Sequence, residues 1–160
     1  MIIAAAAMGV MALTVNFLSK PYFRQHAVPE KQHLLAAARA GGDYLVRMQK
    51  INGSFYYTYR PVTNTLSRDD YNMLRHAGSA FSLYQLYEAT GEAAYLKAAN
   101  NAVNFQKMSL LPGPVAGTLY LNDDGSGKLG GAGLALLALS YRMRLDNGAG
   151  LDDALGLAAF

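Results

Sequence analysis

The stretch Ser67-Arg68-Asp69-Asp70-Tyr71-Asn72-Met73-Leu74-Arg75-His76-Ala77-Gly78 gathers two arginines, two aspartates, a tyrosine, an asparagine and a histidine. The chain as a whole is only 16% charged, so this density asks for a reason. A carboxylate and an imidazole are the usual pair for moving protons at neutral pH. Asp70 and His76 are the expected general acid and base. Arg75 beside His76 favours neutral imidazole, because a second positive charge nearby is repelled. A guanidinium also forks onto a carboxylate or a pair of hydroxyls, which makes Arg75 a ligand-binding candidate.

A second cluster lies 53 residues on, where Lys128 corresponds to Arg75 and follows Asp123-Asp124-Gly125-Ser126-Gly127. Lys128 and Asp124 are therefore expected at the same site. Plainer roles are open to these residues. Asp69 or Asp70 can cap a helix N-terminus. The acids beside Arg75 and Lys128 can anchor loops through ion pairs. Asp123 to Gly127 also reads as a simple turn. It has too few oxygen ligands for a calcium loop, and no motif calls for a metal or another cofactor.

The elements that must position these groups are helices. Residues 30–50, 71–90, 92–108, 130–145 and 151–160 carry helical patterns, with Gly91 and Asn147-Gly148 as stops. Gly41-Gly42 interrupts the first at a cost of about 2 kcal/mol relative to alanine, which suggests close approach of a neighbouring helix. Leu35-Ala36-Ala37-Ala38 through Tyr44 matches Leu96-Lys97-Ala98-Ala99 through Phe105 at an offset of 61 residues. Ala77-Gly78-Ser79-Ala80-Phe81 matches Gly130-Gly131-Ala132-Gly133-Leu134 at an offset of 53. Helices of two kinds thus alternate, as in a repeat array. Two long loops, 51–70 and 109–128, both lead from the first kind to the second, which places them on one face. Each holds a strand-like piece, Ser54 to Tyr59 and Gly117 to Leu121.

Composition limits the remaining possibilities. Of 160 residues, 52% are hydrophobic, so the chain is expected to bury a core as one domain. The net charge of +3 is spread out, and nucleic-acid binding is not indicated. With no cysteine there is no disulfide frame, thiol nucleophile or thiolate metal site. Residues 1–19 begin with an uncharged run, Met1 to Leu18, long enough for a signal or membrane-anchor segment. Residues 20–29, with Pro21 and Pro29, read as a linker, and 30–160 as the folded domain. On this basis the protein is expected to be exported or tethered to a membrane through residues 1–18.

Two phrases carry a family resemblance. Gln49-Lys50-Ile51-Asn52-Gly53-Ser54-Phe55 resembles the Gln…Asp-Gly-Ser-aromatic turn of α/α-toroid repeats, with Asn52 in place of Asp. Arg75-His76-Ala77-Gly78, followed by Tyr84 to Glu92 and Tyr95-Leu96, resembles the passage from inner to outer helix in sugar-active members. These include six-hairpin glycosidases and (α/α) polysaccharide lyases. The resemblance implies an all-α fold of antiparallel helical hairpins forming part of an (α/α) toroid. It also implies a carbohydrate-active enzyme, a hydrolase or lyase, or its N-terminal portion, on a glycan that Arg75 and Lys128 would suit if anionic. Glycoside hydrolysis uses two carboxyls flanking the bond, which Asp70 and Asp124 could supply. Tyr71, Asn72, Arg75 and His76 are the residue types that lyases employ. Tyr56, Tyr57 and Tyr59 would line the groove and stack on sugar rings. The rival expectation is a helical-repeat domain that binds a glycan or a protein partner without turnover.

Overall fold

The computed structural model describes residues 30–67, 71–148 and 150–160. The chain divides into two units, 1–34 and 35–160, and the site and core described below lie in the second. The segment 1–19, the linker 20–29 and Asp70 lie outside the described residues. Among the described residues no helix is long and apolar enough to cross a membrane.

Five helices follow the sequence pattern within two or three residues: α1 Lys31–Met48, α2 Met73–Thr90, α3 Ala93–Lys107, α4 Leu129–Leu145 and α5 Leu151–Ala158. Local chemistry sets their ends. Asn72 caps α2, its side-chain Oδ1 accepting from the Arg75 N–H at 3.0 Å. The cap expected from Asp69 or Asp70 is thus supplied by Asn72, which frees one orphan N–H of the first turn from its need for water. Gly91 closes α2 in the left-handed conformation, φ 72°, and its N–H bonds the Tyr87 carbonyl at 2.7 Å. A two-residue turn then sends the chain back as α3.

The all-α expectation is corrected by the loops. Within the first loop, β1 (Thr58–Arg60) pairs antiparallel with β2 (Thr65–Ser67). Residues 109–128 form a three-stranded antiparallel sheet, β3 (Leu110–Pro112), β4 (Leu119–Asp123) and β5 (Ser126–Gly127), in the order β3-β4-β5. The described residues therefore form a small mixed α/β fold of five helices with two small sheets, not an all-α toroid portion. The reason is the backbone. A loop of about 20 residues beside a core must pair its N–H and C=O groups, and ladders do so more completely than irregular chain.

α2 packs along both α3 and α4, and α4 packs against α5. Small residues on the contact faces, among them Ala80, Ala99, Ala102 and Ala138, are fully buried and let the helix axes approach. Tyr84, Leu83, Tyr95, Val103, Leu121 and Leu139 fill the space between. The Tyr84 and Tyr95 hydroxyls reach Asn100 and Asp43, each at 2.7 Å, so neither buried phenol is unpaired. Leu121 from β4 enters the same core and ties the second sheet to the helices. Burying side chains of this size contributes about 1.5–3 kcal/mol each before entropy is set against it.

Gly53 fixes the start of the first loop. Its φ is 90°, and a Cβ there would press into the Asn101 carbonyl of α3. Gly91 has a similar φ but open space around it. Gly91→Ala is therefore expected to cost about 1–2 kcal/mol, the left-handed penalty alone. Gly53→Ala is expected to cost roughly 2–4 kcal/mol, because overpacking is added. Urea unfolding of the two variants checks the order.

Candidate functional site

Between α1, the first loop and the start of α2 lies a groove of about 170 Å³. Tyr44 comes from α1, Phe55, Tyr56 and Tyr57 from the loop, and Tyr71, Asn72, Arg75 and His76 from the start of α2. The loop is held down at its base. Gln49 Nε2 donates to the Ala98 carbonyl at 2.8 Å, and Asn52 Oδ1 accepts from the Ser54 hydroxyl at 2.8 Å and its N–H at 3.1 Å. A single antiparallel bridge joins Gln49 to Phe55. These bonds fix where Phe55 to Tyr57 enter the groove.

At the floor sits His76, only 2% exposed. Its ring lies among Phe55, Phe105 and Tyr71, with centroids at 5.4, 5.1 and 5.8 Å. Nε2 is 2.8 Å from the Ala102 carbonyl of α3, an acceptor only, so Nε2 carries the proton. Nδ1 is then the acceptor, and the Tyr71 hydroxyl donates to it at 2.6 Å. That hydroxyl in turn accepts from the Phe55 N–H at 3.0 Å. A continuous relay thus runs from the first loop through Tyr71 and His76 to α3. Burial holds the imidazole pKa below its ordinary value, with the Ala102 carbonyl opposing in part. Burial likewise pushes the Tyr71 phenol up to about 12, so it remains a donor at neutral pH.

Arg75 stands at the rim, one residue before His76. Its guanidinium carbon lies 5.1 Å from the centroid of the Tyr57 ring, within cation–π range. Tyr57 also meets Tyr71 at 6.3 Å in a tilted pair. On the outer side Lys50 Nζ lies 4.9 Å over the Tyr56 ring. The described lining is therefore mainly aromatic, with Leu45, Asn72 and Ser79 beside the rings, one guanidinium, and a neutral imidazole beneath.

The residues expected to act together separate into three places. Tyr57, Tyr71, Asn72, Arg75 and His76 share the groove. Tyr59 stands away from it on β1, 40% exposed, with its hydroxyl donating to Asn64 Oδ1 at 3.2 Å. Lys128 is bound to Asp123 Oδ2 at 2.6 Å, while Asp123 Oδ1 accepts from the Met73 N–H at 3.0 Å. Hydrogen bonding to Lys128 holds the Asp123 carboxyl below its usual value against the pull of burial. That carboxylate thus locks the second loop to the first turn of α2. Asp124 is exposed, with φ 53°, in the turn between β4 and β5. Asp70 lies outside the described residues. Among the described residues no group of three or more potential ligands could hold a metal ion.

Tyr44 and Phe55 were not singled out for the site from sequence, although both lie in the segments that carry the repeat and the turn resemblance. The one available signal for Tyr44 is its match to Phe105 at the 61-residue offset, since Phe105 packs on His76. Comparison of the chain with family models, with curated proteins and with solved structures gave no match.

Two outcomes follow from the relay. Tyr71→Phe leaves the Phe55 N–H and His76 Nδ1 without their partner and is expected to cost about 2–4 kcal/mol, read by urea unfolding. The second is a dependence on pH. The folded pKa of His76 lies below the unfolded value of 6.5, so below pH 6.5 the unfolded chain binds the extra proton and stability falls. Urea unfolding at pH 7.5 and at pH 5.5 checks the direction, with lower stability expected at the lower pH. His76→Gln, compared at the same two pH values, should lack this loss.

Proposed function

We propose that this domain binds a carbohydrate in the Tyr57–Arg75 groove, with acidic sugars as the preferred class. The observation that carries the reading is the Arg75 guanidinium lying over the Tyr57 ring in a groove that Tyr44, Phe55, Tyr56 and Tyr71 also line. Tyrosine offers the apolar C–H faces of a sugar ring a flat partner and presents a hydroxyl at its edge. A guanidinium has five N–H donors, so one held over an aromatic ring keeps donors for a carboxylate or paired hydroxyls. A volume of about 170 Å³ suits a single sugar ring rather than a long buried chain.

Binding rather than turnover is supported by the state of His76. Both ring nitrogens are committed, one to Tyr71 and one to Ala102, and the ring is buried. A base that exchanges protons with substrate needs a nitrogen within reach of it. Here the imidazole instead sets the position of the tyrosines above it.

The test is calorimetric titration of the full chain with oligogalacturonides and with neutral cello-oligosaccharides. Arg75→Ala, an exposed position whose backbone cap on Asn72 is retained, is expected to weaken acidic-sugar binding about tenfold, equivalent to about 1.4 kcal/mol. Tyr57→Ala is expected to weaken both classes. Absence of binding to either class by the folded wild-type chain contradicts the proposal.

A further inference from the structure

A second groove, of about 520 Å³, meets the aromatic groove at Tyr56, which lines both. Gln49, Lys50, Ile51 and Asn52, the residues that follow α1, complete it. Lys50 Nζ stands 4.9 Å from the centroid of the Tyr56 ring. The pairing of Arg75 with Tyr57, at 5.1 Å, is thus repeated one residue earlier on the same loop. Each groove brings a cation over a tyrosine.

Backbone bonds set the second pair in place. The Lys50 N–H donates to the Ser54 carbonyl at 2.7 Å, and the Lys50 carbonyl accepts from the Gly53 N–H at 2.9 Å. The Tyr56 N–H donates to the Met48 carbonyl at 2.9 Å. The two backbones are therefore positioned before any ligand arrives, which lowers the ordering cost of binding one. Ile51 is fully exposed beside them and adds an apolar surface to the ring and the ammonium. Asn52, also exposed, spends its Oδ1 on Ser54, so what it offers a ligand is its amide N–H donors. Apolar surface, amide donors and a cation are together what the C–H groups, hydroxyls and carboxylate of an acidic sugar require.

We infer that the Lys50–Tyr56 groove is a second subsite, and that the ligand is an acidic oligosaccharide of at least two rings. One ring sits at Tyr57 with its carboxylate on Arg75, and the next sits beyond Tyr56 with its carboxylate on Lys50. This rests on the carbohydrate reading of the first groove and narrows it from a sugar to a chain. The first groove, at about 170 Å³, holds one ring, so a second ring lies outside it, and Tyr56 leads directly to the next cation. The two cations differ in what they select. Arg75 presents a planar fork, whereas the Lys50 ammonium is a point charge with three rotatable donors and tolerates more than one approach. A neutral chain gains the tyrosine contacts in both grooves but no ionic partner for Lys50, so the second subsite sharpens the preference for acidic chains.

Dependence of affinity on ligand length tests it. Galacturonic acid and its linear dimer and trimer are titrated into the full chain and followed by protein NMR, which reads weak and tight binding alike. The salt is held at about 0.15 M, where exposed charges farther apart than roughly 8 Å are screened from one another. The dimer and trimer are expected to bind about tenfold tighter than the monomer. Lys50→Met keeps the aliphatic stem and removes the charge. It is expected to cut that gain about fivefold and to leave monomer affinity unchanged, while Lys50→Arg keeps most of the gain. Equal affinity for all lengths overturns the second subsite, as does a Lys50→Met variant that keeps the full gain or weakens the monomer just as much. In those cases a monomer whose binding is weakened by Arg75→Ala leaves the first groove's reading standing. Absence of binding at every length by the folded chain overturns both.

Discussion

The imidazole of His76 is the constraint on which the site depends. It is buried among three aromatic rings and has a single arrangement of protons that satisfies both nitrogens. The Ala102 carbonyl can only accept, so Nε2 must donate. Nδ1 must therefore accept, and the Tyr71 hydroxyl is turned toward it. The same hydroxyl then accepts from Phe55. Leaving a buried polar group unpaired costs about 1–3 kcal/mol, so each link holds the next in place. Through this relay α3, the first turn of α2 and the first loop share one geometry, and Tyr57 and Arg75 inherit it.

A second link of the same kind acts from the other loop. Asp123 is buried and joins Lys128 to the Met73 backbone, which fixes the N-terminus of α2 from the second loop. A buried carboxylate that keeps its charge needs a cation and a donor together, and it has both. The start of α2 is thus held by Asn72 as its cap, by Asp123 across the loops and by His76 through the core. That rigidity lets an exposed arginine keep its place over a tyrosine ring.

The helices were legible because their signals are local. Gly91 and Asn147-Gly148 mark stops, and the 61- and 53-residue offsets lay α1 over α3 and α2 over α4. The sheets were not legible in the same way. Ser54 to Tyr59 reads as one strand, but only Thr58–Arg60 finds a ladder partner, and Phe55 forms a lone bridge with Gln49. Pairing depends on residues distant in sequence, and this is why an all-α expectation gave way to a mixed fold. At the site, residue types were visible and burial was not. The spacing of Arg75 and His76 shows neighbours, yet one side chain lies at the rim and the other in the core. Lys128 was open to both an ion-pair role and a ligand role. The left-handed turn at Asp124 and the burial of Asp123 decide which acid it holds.

The central claim is that His76 is a neutral structural bridge and that the groove above it is a fixed aromatic surface. Nitrogen-15 NMR of the histidine ring tests this most directly. The account predicts a single Nε2–H tautomer for His76 at pH 7, with the Nδ1 shift of an unprotonated acceptor and a titration midpoint below the ordinary histidine value. A ring that titrates near the ordinary histidine value, or that averages between tautomers, would contradict it and return His76 to the proton chemistry that its neighbours first suggest.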